Sequence, residues 1–368
     1  MAARPSTEPQ RLRALERALR RDAGDLAFFL VYDRPGREAE RSGLWRTYFA
    51  QRCVSDEFLD ATIGAFRAVG AYVELFPGEI AWLSALADGR LQRLPQRMKV
   101  AFNGIGWGIG VEGFMPGRKA LVPLIADAYG MTCVNSDAHA CAVTVHKFHS
   151  SLVLSALGIR TPRTWQYRPP HGWVQHAPQR GTRVITKSTF EAWSVGVTDD
   201  SVFVVDDTLD ARVAERAEGI GQAVTVQEFI PGREVYVPIW SCPESIVTPP
   251  MEAITTRAPN SPDAITTIED SLQGAVHLQR FDGPTNLLER LRRAAISVHD
   301  VFDLYGVCRI DFRVDPQEQL WVIDIAIDPG LSVTSSAFQS LAEYEFDHPA
   351  FLRTVVAATL SAKGLLHI

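Results

Sequence analysis

An α/β protein is predicted, on three observations. Apolar strand-like runs alternate with amphipathic helical runs through the first third of the chain, which implies a mainly parallel sheet covered by helices. A long helix is expected over 285–304, with Leu287, Leu288, Leu291, Ala294, Ala295, Val298 and Val301 on one face. Directly after it, 306–330 (GVCRIDFRVDPQEQLWVIDIAIDPG) alternates apolar and polar residues on both sides of a polar turn, the pattern of a β-hairpin.

Each element follows in order. The start, MAARPSTEPQRLRALERALRR, mixes arginines with Glu8 and Glu16 and lacks an apolar core segment, so a short tail leading into a surface helix is expected rather than a leader. Residues 25–32 (DLAFFLVY) form a buried-strand candidate that ends at the turn Asp33, Arg34, Pro35, Gly36. Residues 56–75 suggest a helix (Phe58, Leu59, Ile63, Phe66, Val69) merging into a strand around Tyr72, 98–103 a strand, and 119–129 a helix ending at Gly130. A helix over 138–157 would carry His146, Lys147 and His149; the histidines lack carboxylate or cysteine partners at metal spacing. Strands are expected over 183–187 and 225–229, a loop over 188–196, and one long Thr-, Pro- and Asp-rich loop over 251–282.

Composition narrows the class. The 368 residues suffice for two or three subdomains. Hydrophobic content of 46% and charged content of 22% are those of a globular chain, and the net charge of -6 offers no field for a nucleic-acid backbone. Cys53, Cys133, Cys141, Cys242 and Cys308 are scattered without C-x-x-C spacing, so neither a disulfide framework nor a structural zinc is expected, and a cytoplasmic location is. No apolar run reaches the ~18 residues of a membrane helix. The glycine-rich 103–110 (NGIGWGIG) follows a strand, but its spacing is not G-x-G-x-x-G and no acidic partner follows a second strand, so it reads as a loop near substrate, not a dinucleotide site.

The hairpin carries the chemistry. A two-residue turn at Gln317 and Glu318 sets Ile310 against Ile325, Phe312 against Ile323 and Val314 against Trp321 on one face, with Asp311 opposite Asp324 and Arg309 beside Asp311 on the other. Directly opposed like charges, roughly 4.5 to 5.5 Å apart at Cβ, repel. Either the face is solvated, or a shared proton, an arginine or a hard divalent cation neutralises the pair.

RIDFR followed by DIAIDPGLSVTS resembles the metal-binding end of the ATP-grasp fold, in its D-alanine-D-alanine ligase-like branch. Two further segments match in order: 184–197 (VITKSTFEAWSVGV) resembles the branch's phosphate-covering loop, and 224–237 (VTVQEFIPGREVYV) its adenine and ribose edge. The resemblance implies two α+β subdomains gripping ATP, over 138–235 and 236–368, preceded by a Rossmann-like α/β domain over 1–137. It implies ATP and Mg2+ as cofactors and a small-molecule carboxylate and amine as substrates, joined through an acylphosphate. Lys147 and Lys187 would contact phosphates, Gln227, Glu228 and Ile230 the base, Glu234 the ribose, and Arg257 a phosphate in place of a lysine. Glu191 and Ser194 would orient substrate and phosphate. Asp311 and Asp324, helped by Asp328, would hold magnesium, with Arg309 beside the transferred group. The Gly330 backbone and Ser335 would hold the carboxylate of the amine-bearing substrate. Homodimers are frequent in the family, which leaves a homodimer open here, with no interface legible in the sequence.

The chain departs from the family pattern in three places. Ala192 and Trp193 replace a glycine and a serine of the phosphate loop, which predicts a stiffer loop. Ala326 stands where the family has a metal-binding asparagine. The segment VYDRPG lacks the H-G-G-x-S-x-E glutamate that holds the first D-alanine. A ligase for specialised, antibiotic-type metabolite biosynthesis is therefore expected rather than a cell-wall enzyme. The alternatives are a nucleotide-binding protein without turnover and a ligase that cyclises one substrate.

Overall fold

The computed structural model describes residues 7–32, 56–103, 117–259 and 261–368; the expected turn at 33–36, Cys53 and nearly all of the glycine-rich 103–110 lie outside them. The first sheet is parallel, with β1 (Leu26–Tyr32), β2 (Tyr72–Pro77), β3 (Met98–Asn103) and β4 (Thr132–Cys133) in the order β2-β1-β3-β4. Every residue of β1 is buried, as an uninterrupted apolar run at the centre of a parallel sheet requires. Its alternate side chains feed two cores. Phe28 and Leu30 pack with Leu12, Leu15, Leu19 and Phe66, while Phe29 and Val31 pack with Trp82 and Val122.

The expected surface helix is Glu8–Arg21, solvated on one face and buried on the other. Leu12, Leu15 and Leu19 are fully buried against the last helix of the chain, His348–Ala362, and each contributes roughly 1.5–3 kcal/mol by leaving water. Arg353 donates to Glu16 Oε1 at 2.6 Å inside that contact. The C-terminal helix thus completes the N-terminal core.

The second sheet is antiparallel: β5 (Thr164–Arg168), β6 (Gly172–Trp173), β7 (Arg183–Ser188), β8 (Val202–Val204) and β9 (Val224–Glu228), in the order β6-β5-β9-β7-β8. The third, also antiparallel, comprises β10 (Arg233–Trp240), β11 (Ile246–Val247), β12 (Met251–Thr255), β13 (Val276–Arg280), β14 (Val307–Val314) and β15 (Leu320–Ala326), in the order β13-β12-β10-β14-β15 with β11 on β10. Helix Thr285–Val301 covers its inner face with Leu287, Leu291, Ala295 and Val298. Because β10 starts at Arg233, the expected junction at 235 falls inside a strand.

Three expectations are corrected. Residues 251–282 are not one loop: β12, a short helix Ile268–Leu272 and β13 lie within them, and Val276 and Leu278 alternating with His277 and Gln279 was the period-two signal. The helix expected over 138–157 is two, Ala138–Val145 and Lys147–Ala156, broken at His146. There Lys147 N leaves the helical ladder for Thr189 O at 3.2 Å, and His146 Nδ1 accepts from His149 N as the cap of the second helix.

The hairpin register is half as expected. Ile310 faces Ile325 and Asp311 faces Asp324, but beyond them Phe312 faces Val322 and Val314 faces Leu320. The loop has three residues, not two. Asp315 N donates to Gln319 O, Asp315 Oδ1 accepts from Gln317 N and Gln319 N, and Glu318 takes a left-handed φ of 55°. A bulge that leaves Ile323 unpaired absorbs the shift before it reaches the aspartates.

Candidate active site

The second and third sheets face each other across a cavity of about 710 Å³, within the usual range for ligand pockets. Lys147, Lys187, Glu191, Ser194, Gln227, Glu228, Ile230, Glu234, Arg309, Asp311, Asp324, Asp328, Gly330 and Ser335 all line it. Of the residues singled out from the sequence, Arg257 alone is not among its walls. Its guanidinium forks onto Asp270 at 2.6 and 2.8 Å and reaches Asp199 at 2.8 Å, so it ties Asp199 to the segment that carries Asp270.

The hairpin wall is built from paired charges. Arg309 donates to both oxygens of Asp311 at 2.6 and 2.7 Å, and its guanidinium stacks 4.1 Å from the ring centre of Tyr236. Burial pushes the Asp311 carboxyl up to about 7 against the pull of Arg309. Asp324, directly opposite, lies 3.7 Å from Lys147 Nζ. Burial raises its pKa too, but Lys147 and Lys187 outweigh it and hold the group below its ordinary value.

The lysines come from elsewhere in the chain. Lys187, on β7, is half-buried; it donates to Gln227 Oε1 at 2.9 Å and approaches the carbonyl of the bulged Ile323 at 3.4 Å. Burial lowers it to about 8, with Asp324 pulling the other way. Lys147, at the start of its helix, donates to Glu191 O at 2.5 Å and so ties the phosphate-loop candidate to the wall. Gln222 Nε2 holds Glu191 Oε1 at 3.1 Å. Trp193 and Ser194 both adopt left-handed φ, 58° and 56°, so the loop keeps a sharply turned backbone even with a bulky residue at 193.

Two residues expected to face the base have protein partners. Gln227 is buried and bonded to Lys187, and Glu228 is clasped by Arg163 at 2.9 and 3.1 Å. Glu234 accepts from Tyr236 Oη at 2.9 Å and lies 3.2 Å from Arg313. Gly232 precedes it with φ 146°, where a β-carbon would come within 2.2 Å of Val314 O, so only glycine lets β10 start this close to β14. Ser335 caps helix Ser336–Ala342 by accepting from Phe338 N, which leaves its hydroxyl proton for a ligand.

Sequence reasoning missed Tyr236, Arg313 and Lys119. The first two were within reach, because β10 pairs with β14 so that Glu234 opposes Arg313 and Tyr236 opposes Asp311. Lys119 had no local signal. It comes from the N-terminal part and pairs with Asp328 at 2.9 Å, both side chains lining the cavity.

These groups can be tested against ATP and magnesium. Among the described residues no three His, Cys, Asp or Glu side chains converge on a metal-sized point. Asp328 is drawn to Lys119, and Ala326, opposite Arg309, has no donor, so the three-aspartate ligand set is not assembled. Magnesium commonly takes only one or two carboxylates and completes its shell with phosphate oxygens and water, and the facing Asp311 and Asp324 fit that mode. Buried Ile185, Val197 and Phe229 offer an apolar wall for a base, and the two lysines suit phosphate oxygens.

Comparisons with known proteins agree with the resemblance. The family model described as the D-ala D-ala ligase C-terminus matches residues 163–357. A D-alanine--D-alanine ligase of Synechococcus sp. (strain JA-2-3B'a(2-13)) is 26% identical over 228 residues, 60% of this chain and 65% of that protein. The ligase of Gloeobacter violaceus is 23% identical over 308 residues, 80% of this chain and 93% of that protein. Among solved structures, D-alanine--D-alanine ligase from Bacillus anthracis complexed with ATP superposes with a TM-score of 0.63 at 13% identity, covering 92% of this chain and 99% of that one. At that identity the likeness speaks for the fold, which is the ATP-grasp fold expected from the sequence.

Proposed function

The chain belongs to the D-alanine-D-alanine ligase family, and from that premise we propose that it is an ATP-dependent ligase joining a carboxylate to an amine. One observation carries the reading: Lys147 and Lys187 converge on the Asp324 side of a wall whose other aspartate is forked by Arg309, so five charges surround a space open to one cavity. Phosphoryl transfer needs little else from a protein than such positioning and charge. Magnesium, when bound on Asp311 and Asp324, would supply the hard cation that neutralises the phosphate oxygens.

The chain's own residues would divide the work. Lys147 and Lys187 would exchange part of their hold on Asp324 for phosphate oxygens, and Arg309 would keep Asp311 oriented while a nitrogen faces the transferred group. Glu234 would accept from the ribose diol and Ile230 flank the base. Glu191, fixed by Gln222, would set the loop that brings Ser194 toward substrate. The other substrate's carboxylate would attack the γ-phosphorus of ATP, releasing ADP and forming the acylphosphate. The Gly330 backbone and the Ser335 hydroxyl would receive the carboxylate of the amine-bearing substrate, whose amine would then attack the acyl carbon, lose a proton and expel phosphate to leave the amide.

A specialised, non-cell-wall role in the cytoplasm is part of the proposal, supported by Trp193 and Ala326 and by the unpaired state of Cys133, Cys141, Cys242 and Cys308. ADP release with ATP and magnesium, measured across single amino acids and pairs with mass spectrometry of products, tests the whole reading. Turnover confined to one pair class, with an amide product, is the expected result. Nucleotide binding without release on every combination would favour a binding protein, the reading that Ala326 supports.

A further inference from the structure

Trp193 is the one residue of the phosphate loop that is both large and unburied. Its side chain is 57% exposed, although it lines the cavity. Its φ of 58° is unusual for a bulky residue, and such conformations persist where the surroundings impose them, often at ligand sites. One edge of the exposed indole lies against the cavity wall. A β-carbon placed on Gly330 would sit 3.6 Å from Trp193 Cζ2 and 3.6 Å from Ser335 Cβ, so the ring edge hangs over the Gly330 and Ser335 cradle.

The neighbouring walls are apolar too. Ala192, just before Trp193, and Leu331, just after Gly330, both pack against the N-terminal core that contains Phe102, as does Phe58. Phe58, Phe102, Ala192 and Leu331 all face the cavity. The cradle therefore opens onto an aromatic and aliphatic recess.

On the reading that this cradle holds the amine-bearing substrate, we propose that the substrate is an amino acid with a bulky apolar or aromatic side chain, seated between the Trp193 indole and Leu331. A methyl side chain would leave the indole and the recess in contact with water, whereas a ring would cover both, and each added methylene or aromatic contact raises discrimination. Trp193 is thus a specificity residue and takes no part in proton or phosphoryl transfer.

The test is made on the full-length enzyme with magnesium. Calorimetric binding of D- and L-phenylalanine, leucine and alanine is measured with a non-hydrolysable ATP analogue, beside ADP release with ATP and a panel of carboxylate donors. Phenylalanine or leucine of one configuration is expected to bind about tenfold or more tighter than alanine. W193A should erase most of that ratio and W193F should keep most of it, with the affinity for the ATP analogue serving as the check that both variants are folded. Equal affinity for alanine and phenylalanine in the wild type, or a ratio untouched by W193A, overturns the proposal. Discrimination in binding without ADP release on any pair would leave the recess standing and remove the ligase reading instead.

Discussion

Asp311 and Asp324 face each other across one hairpin, yet the molecule treats them differently. Asp311 is gripped by a single planar fork from its own strand, two residues away, in a buried pocket. Asp324 pairs at 3.7 Å with Lys147, from a helix, and feels the charge of Lys187, from the second sheet; both lysines have other partners, Glu191 O for Lys147 and Gln227 for Lys187. The fork is a fixed part of the third sheet, whereas the lysines join one sheet to the other. A ligand bearing phosphates can therefore draw the lysines without orphaning them, but it cannot take Arg309 from Asp311 without leaving a buried charge.

The sharpest way to break this contrast is to neutralise each aspartate in turn. Asp311→Asn should lower ADP release by about 10²–10³-fold, the usual cost of losing one preorganised charge at a transferring group. It should also destabilise the fold by about 3 kcal/mol, the lower end of the cost of breaking a buried pair, because asparagine still accepts one hydrogen bond. Asp324→Asn should lower turnover similarly but leave the melting temperature much nearer to wild type, since both lysines keep their other partners. Equal stability losses in the two variants would erase the distinction, and retained turnover in Asp311→Asn would remove the metal assignment.

What was legible in the sequence follows the range of the interactions. The opposition of Asp311 and Asp324 could be read because strand alternation and a nearby turn decide it within a dozen residues. The bulge at Ile323 could not, since it depends on Glu318 adopting a left-handed backbone that its side chain does not advertise. Lys119 against Asp328, and Glu16 against Arg353, join segments more than 200 residues apart, and no local pattern encodes them. Family resemblance picked out charged groups on both walls of the cavity but not the partners of Arg257, because Asp270 and Asp199, which bind it, form no part of the motif.

The lysine side of the contrast can be sharpened by pH. Burial lowers Lys187 to about 8, so the free enzyme should lose this cation, and kcat/KM for ATP should fall, as pH rises through about 8. Lys187→Met should be slow at all pH values and lack that limb; a limb that survives the substitution belongs to another group. Stability moves the opposite way. Between about 8 and the ordinary 10.5 the unfolded chain holds a proton that the folded chain has lost, so the wild type should gain stability across that window relative to Lys187→Met.

The smallest expected effects concern the end of the wall. Ala326→Asn places a donor opposite Arg309, on the strand of Asp324, and should lower the magnesium concentration needed for half-maximal rate. Asp328→Asn should leave that concentration unchanged, because its carboxylate serves Lys119, and should cost on the order of 1 kcal/mol in stability as the charged contact becomes a neutral one. The pair of variants separates a ligand from a strut at two positions with a single residue between them. If Asp328→Asn raises the magnesium requirement, the Lys119 pairing yields to metal when nucleotide binds, and Asp328, not water, fills the place that Ala326 leaves open.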